Sequence, residues 1–177
     1  DLDAVRAFAR NVSVVTFEFE NVSSAAVEAA STFAPVRPSG HVLHTAQHRL
    51  REKTFLANND FPVAPFKRIN SKDDLLAALN EIGYPAVLKT AGFGYDGKGQ
   101  SKITSPDQVQ YALNALGQQE AILEAFINFE REVSVVAARS IDGAFMHYGV
   151  VANEHRYHIL DITVAPAPVS PEVQKEA

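Results

Sequence analysis

Two lysines bracket the part of this sequence best suited to chemistry. Lys89 ends a short apolar run, Pro85–Leu88, and Lys98 lies inside a segment holding four glycines, Gly92, Gly94, Gly97 and Gly99. Glycine lets the backbone approach a ligand closely and lets successive N–H groups point at an anion. With a cation at each end, such a loop is suited to covering the phosphates of a nucleotide. The residues on either side have β character, Pro85–Leu88 before and Gln100–Thr104 after, so the spacing predicts a strand, a glycine-rich turn and a second strand.

Two known phosphate-binding patterns fit this loop poorly. Gly92-x-x-x-x-Gly97-Lys98 has the outline of a Walker A loop, but Gly99 stands where Ser or Thr would be needed to hold magnesium. Gly92-x-Gly94-x-x-Gly97 also satisfies the dinucleotide fingerprint. Both patterns require a helix directly after the loop, whereas the next helix start here is Ser105-Pro106-Asp107, beyond the second strand. A hairpin cover of the protein-kinase kind is nearer, although the kinase lysine follows its loop and Lys89 precedes this one. A hairpin without a ligand is the alternative.

Other candidate residues lie outside the loop. Glu18, Glu20 and Asn21 follow the β-branched run Val12–Phe17. If that run is a buried strand of a doubly wound parallel sheet, they sit at its carboxyl end, where ligands bind; Glu20 or Asn21 could equally cap the next helix. Arg49 belongs to a cationic run with Arg51 and Lys53, suited either to a solvated helix face or to a phosphate. Glu124, Glu132 and His155 could share a cleft if their strands are neighbours. The histidines show no zinc-ligand spacing with nearby carboxylates.

The elements that must position these residues follow from periodicity and punctuation. Leu2–Arg10 reads as the end of a helix, Val12–Phe17 as a strand, and Ser23–Phe33 as a helix. Pro35–Ser39 is a stiff connector, and Val42–Leu56 is one or two helices. Phe61–Ile69 is a strand interrupted by Pro62 and Pro65, hence an edge or a connector. Ser71-Lys72-Asp73-Asp74 opens a capped helix that Gly83 stops, and Ser105–Leu116 repeats the pattern. Ala121–Ile127 is a strand, Arg131–Arg139 alternates with period two, Asp142-Gly143 is a hairpin turn, and Phe145–Val151 returns. The expected parts are residues 1–37, the end of a Rossmann-like domain; 38–61, a helical connection; 62–126, an α+β lid bearing the hairpin; and 127–177, the start of a further domain.

At 177 residues the chain can form one large or two small domains, and 46% hydrophobic with 21% charged residues is ordinary for a globular protein. A net charge of −5 without a basic cluster argues against a nucleic-acid partner. No apolar run is long enough to span a bilayer. The absence of cysteine rules out disulfides and thiolate metal sites and fits a cytoplasmic protein. The first residue is Asp1 and the last residues resemble a helix start, so a fragment is expected.

Taken together, Thr16–Val22, Gln47-His48-Arg49, Glu52-Lys53, Tyr84–Thr90, Gly94-Tyr95-Asp96-Gly97-Lys98-Gly99-Gln100, Ile122-Leu123-Glu124, Glu132–Val135 and Ala165–Pro168 resemble the ATP-grasp family. Within it the likeness is to the branch that carboxylates aminoimidazole ribonucleotide, and it covers essentially the whole chain. The resemblance implies an ATP-grasp fold of mixed α/β and α+β class. It implies that Arg49 and Lys89 bind ATP, Lys89 at the α- and β-phosphates, and that Gly94, Tyr95, Asp96, Gly97, Lys98, Gly99 and Gln100 close over the phosphates. Glu124, Ala125, Phe126 and Ile127 would form the hinge on adenine, Glu132 would hold the ribose, and His155 would lie by the nucleotide. Glu20, Tyr95 and Asp96 would contact aminoimidazole ribonucleotide. Two departures stand out: Phe93 replaces a commoner small residue, and Arg156-Tyr157-His158 replaces a charged residue and Asp-Gly.

The same resemblance implies a two-step reaction in purine synthesis. ATP phosphorylates bicarbonate to carboxyphosphate, and the amine of the ribonucleotide captures this or the CO2 it releases. Asp96 is the candidate to handle the amine proton. Magnesium is implied, but its acidic ligands in the family follow later than this chain extends, so these residues alone are expected to be inactive and the full enzyme to be a dimer. The alternatives are another carboxylate-amine ligase of the same fold and a non-catalytic nucleotide-binding module.

Overall fold

The computed structural model describes residues 1–92, 98–117 and 119–177. The expected phosphate-loop residues Gly94, Tyr95, Asp96 and Gly97, with Phe93, therefore lie outside the described residues. Of those described, the residues up to 92 and between 99 and 126 form one compact unit; Lys98 and those from 127 onward form another.

The first unit begins with α1 (Leu2–Ala9), capped by the Asp1 carboxylate, and α2 (Ser24–Ser31), capped by Ser23. Neither Glu20 nor Asn21 serves as that cap. Val12–Phe17 does not form the expected strand. Val15 makes one parallel bridge to Val36, with hydrogen bonds from Val15 N to Pro35 O at 2.9 Å and from Arg37 N to Val15 O at 2.8 Å. The neighbouring segment is bounded by Pro35 and Pro38, which have no N–H to extend the ladder. Val12, Val15 and Phe17 instead pack on a small cluster of Ala9, Val27, Ala30, Ala34, Val36 and Leu43. The helical stretch that follows is two helices, α3 (Gly40–Ala46) and α4 (Arg49–Asn58), separated at an extended His48.

A four-stranded antiparallel sheet follows, built from β1 (Phe66–Ile69), β2 (Ala86–Thr90), β3 (Gln100–Ile103) and β4 (Ala121–Ala125) in the order β1-β4-β2-β3. β1 is an edge strand, one of the two readings the preceding prolines left open, and it starts only after Pro65, whose carbonyl accepts from Ala125 N at 2.9 Å. α5 (Lys72–Ile82) is capped by Ser71 Oγ on Asp74 N and ends at Gly83, where φ is +82°. α6 (Val109–Leu116) is preceded by one 3-10 turn over Pro106–Gln108. Both helices cover the same sheet face, and Ile69, Leu75, Leu79, Ala86, Leu88, Ile103, Val109 and Leu123 form the core there. Each fully buried Leu or Ile contributes about 1.5–3 kcal/mol of apolar transfer energy, so this layer fixes the sheet on which the candidate site is built.

The second unit is a meander of β5 (Glu132–Arg139), β6 (Phe145–Arg156) and β7 (Ile159–Val164), followed by α7 (Pro171–Glu176). Asp142-Gly143 makes the first turn, with Gly143 at φ +91°. β7 has no counterpart among the sequence expectations. The turn before it is made by Tyr157 and His158, at φ +53° and +67°, residues that do not announce a tight turn.

Candidate nucleotide site

Alternation along β2, β3 and β4 sorts their residues onto two faces. Leu88, Thr90, Ile103, Ala121 and Leu123 point toward the helices. The opposite face carries two cross-strand rows, Lys102–Val87–Glu124 and Gln100–Lys89–Ile122. The residues expected to meet a nucleotide at Lys89, Gln100 and Glu124 are therefore neighbours on one surface.

Glu124 is the centre of that surface. It is only 6% exposed, and its Oε2 receives Lys89 Nζ at 2.9 Å and Lys53 Nζ at 3.6 Å. Its Oε1 is buried and has no hydrogen-bond partner among the described residues. A buried acceptor left open in this way carries a desolvation penalty that a donor from a ligand would remove. The amine of a nucleobase is such a donor, so the residues present fit the expected adenine contact. Beyond Glu124, Phe126 N donates to Pro85 O at 3.1 Å, and Lys102 Nζ lies 3.4 Å from the centroid of the Phe126 ring. Ile127 belongs to the other unit and is half exposed.

α4 fastens to the end of β2 where the glycine segment starts. Arg49 Nη1 donates to Thr90 O at 2.9 Å, and Arg49 N donates to Ala91 O at 2.8 Å. His48 bridges to Gly92, and its Nε2 lies 3.2 Å from Glu120 Oε2. On the return side, Thr90 N donates to Gly99 O at 2.8 Å, and Gly99 sits at φ +69° against the Thr90 side chain. Both ends of the loop are thus pinned. Lys98 is exposed.

Glu20 comes to this neighbourhood through Gln47, whose Nε2 donates to Glu20 O at 2.5 Å and Val22 O at 2.6 Å. Glu52, on the first turn of α4, has its carboxyl raised above the ordinary 4.5. Burial is the main cause, partly offset by Lys53 and Arg49 and reinforced by the negative charges of Glu20 and Glu124. Lys53 is the residue that sequence reasoning missed. Its signal was its place four residues after Arg49, one helical turn along the same face.

In the second unit, Glu132 opens β5 and His155 lies near the end of β6. The pair meets, His155 Nδ1 to Glu132 Oε2 at 3.1 Å. Beside it, Asn153 Nδ2 donates to Ser134 Oγ at 2.9 Å and accepts from Thr163 Oγ1 at 3.0 Å, tying three strands together. An open depression lined by Phe129, Arg131, Glu132, Asn153, His155 and Pro168 marks this end of the sheet. Among the described residues, no three metal-ligating side chains stand together, and no described helix is long and apolar enough to cross a membrane.

Two adjacent antiparallel strands, β2 with Lys89 next to its last residue and β3, flank the glycine-rich segment in sequence. The model of the ATP-grasp domain matches residues 54–177, and a ribonucleotide synthetase preATP-grasp domain matches residues 1–47. The chain belongs to the ATP-grasp family.

Its relatives narrow the comparison. The bifunctional purine synthesis protein purC/E of Dictyostelium discoideum is 43% identical over 98% of this chain and 18% of that protein. The N5-carboxyaminoimidazole ribonucleotide synthase of Pseudomonas aeruginosa is also 43% identical, over 93% of this chain and 46% of that protein. Among solved structures, the synthetase of Thermus thermophilus superposes with a TM-score of 0.92 at 39% identity, covering 100% of this chain and 48% of that one. The Aspergillus clavatus enzyme in complex with ADP and 5-aminoimidazole ribonucleotide gives 0.90 at 27% identity, covering 100% and 46%. The chain spans less than half the length of these relatives.

Proposed function

We propose that this chain supplies the nucleotide-binding part of a ligase that uses ATP and bicarbonate to carboxylate 5-aminoimidazole ribonucleotide at its amine. The observation that carries the reading is the buried Glu124 carboxylate, held by Lys89 on the ligand face of the sheet, in a chain 43% identical to a synthase of that name. Lys89 and Arg49 are assigned to the phosphates, and Glu124 through Ile127 to adenine. Glu132 and His155 are assigned to the ribose side, and Glu20, Tyr95 and Asp96 to the ribonucleotide. The four-part division at residues 37, 61 and 126 is retained as part of this proposal.

The chemistry suits these groups. A bicarbonate oxygen attacks the γ-phosphorus, ADP leaves, and carboxyphosphate forms. The amine nitrogen then bonds to the carboxyl carbon as inorganic phosphate departs, and Asp96 takes the amine proton. Such phosphoryl transfer is mostly positioning and charge neutralisation, which the lysines and backbone N–H groups provide. Magnesium, when bound, would neutralise further phosphate charge; no described residue is assigned to it. We place the full protein in the cytoplasm as a homodimer.

The test is ADP formation by the full polypeptide with bicarbonate and magnesium, with and without the ribonucleotide. Strong stimulation and a carboxylated product are expected. ATP binding without stimulated turnover would overturn the substrate assignment in favour of another ligase or a binding module. Lys89→Met is expected to reduce turnover by at least about a hundredfold, the scale of losing one electrostatic stabiliser; normal activity in that variant would remove Lys89 from the phosphates.

A further inference from the structure

We propose that Lys53 is a positioning residue for nucleotide binding, holding Glu124 in place when Lys89 transfers to the phosphates. The proposal rests on the reading above that Lys89 is a phosphate ligand. Two ammonium groups converge on one oxygen, Glu124 Oε2, at 2.9 Å from Lys89 and 3.6 Å from Lys53. One cation is enough to neutralise one carboxylate, and the second adds lysine–lysine repulsion in a region of low dielectric. The redundancy gains a purpose if one lysine has another partner to serve.

Geometry says which lysine leaves. Lys89 sits at the end of β2, one residue before the Thr90–Ala91 stem of the glycine segment. Lys53 is fixed on α4, whose first turn is stapled to that same stem by Arg49 through Thr90 O and Ala91 O. Were Lys53 absent, departure of Lys89 would leave Glu124, 6% exposed and with Oε1 already lacking a partner, as an isolated buried charge. That state is strongly disfavoured. Lys53, moving in from 3.6 Å, keeps the carboxylate paired and oriented, so its open oxygen still faces the base. Without Lys53, Glu124 would compete with the phosphates for Lys89. The cost should appear only for ligands that carry phosphates.

The experiment measures ADP and adenosine binding to the full polypeptide by calorimetry in wild type, Lys53→Met, Lys53→Arg, Glu124→Gln and the double variant Lys53→Met/Glu124→Gln. Lys53→Met should weaken ADP about tenfold, equivalent to roughly 1.4 kcal/mol, and leave adenosine affinity essentially unchanged. Lys53→Arg should restore most of the loss. With Glu124 neutralised, Lys53→Met should have little further effect. Equal losses in both backgrounds would make Lys53 a direct phosphate ligand and overturn the proposal. Equal losses for ADP and adenosine would reduce it to a structural residue, and unchanged ADP binding would remove it from the site. If Lys53→Met does not fold, Lys53→Gln, which keeps a donor, takes its place with the same ordering expected. A wild-type protein that binds neither ligand would refute the nucleotide reading itself, a result distinct from all of these.

Discussion

Gly99→Ala tests how tightly the return end of the glycine-rich segment is built. Gly99 sits at φ +69°, and an added Cβ would lie 2.8 Å from Thr90 Oγ1, 3.1 Å from Thr90 Cγ2 and 3.6 Å from Thr90 Cβ. Two separable costs follow. The left-handed backbone is disfavoured for alanine by about 1 kcal/mol. The overlap with Thr90, 6% exposed and unable to swing away, adds roughly 1–3 kcal/mol of overpacking. The variant should therefore be less stable by about 3 kcal/mol in urea unfolding, a large part of a typical margin of about 5–15 kcal/mol. Thr90→Ala deletes Oγ1 and Cγ2 and leaves only the contact at 3.6 Å, an ordinary separation. In that background the cost of Gly99→Ala should fall to about 1 kcal/mol, the backbone share alone. A Gly99→Ala protein as stable as wild type would refute the tight-stem reasoning. A cost undiminished by Thr90→Ala would refute its steric half.

Two further perturbations probe other parts of the chain. His158→Gly relieves the exposed turn residue at φ +67° and should stabilise the second unit by about 1 kcal/mol, read as a raised unfolding midpoint; an unchanged or lowered midpoint would mean the backbone there is unstrained. Glu52→Gln bears on pH. Because burial raises the folded-state pKa of Glu52 above 4.5, its ionisation opposes folding, and the stability it contributes is full below 4.5 and lost as pH rises through the raised value. The variant should therefore gain melting temperature at neutral pH, with the gain shrinking as pH falls through the raised value and gone below 4.5. A gain that is larger in acid would reverse the sign of the argument.

The four-stranded sheet and its two helices were largely legible in the sequence because their signals are local. Ser71 and Gly83 delimit α5, and the alternation Ala86–Val87–Leu88–Lys89 already separates core from site. Asp142-Gly143 fixes its turn by backbone preference alone. What escaped depended on distant partners. Val12–Phe17 has the composition of a buried strand, yet the proline-bounded segment beside Val15 supports one bridge. β7 was hidden because Tyr157 and His158 adopt positive φ without a glycine. Lys53 was visible as one cation among three, and only the fold shows that it and Lys89 approach the same carboxylate. For Tyr95 and Asp96, named for the ribonucleotide, the described residues offer no position at all.

The interleaving of the two sheet faces has a consequence for how this sheet can vary. Leu88 and Leu123 lie under the helices, and their sequence neighbours Lys89 and Glu124 face the other way, so core and site are written into alternate letters of the same words. A single-residue insertion or deletion inside β2 or β4 would slide every side chain to the wrong face. It would drive Lys89 or Glu124 into the apolar layer and turn a leucine out of it. Charged groups carried on such a strand cannot drift independently of the packing. A frame error fatal to the site is also fatal to folding, so a chain of this kind that folds already presents its charges on the correct side.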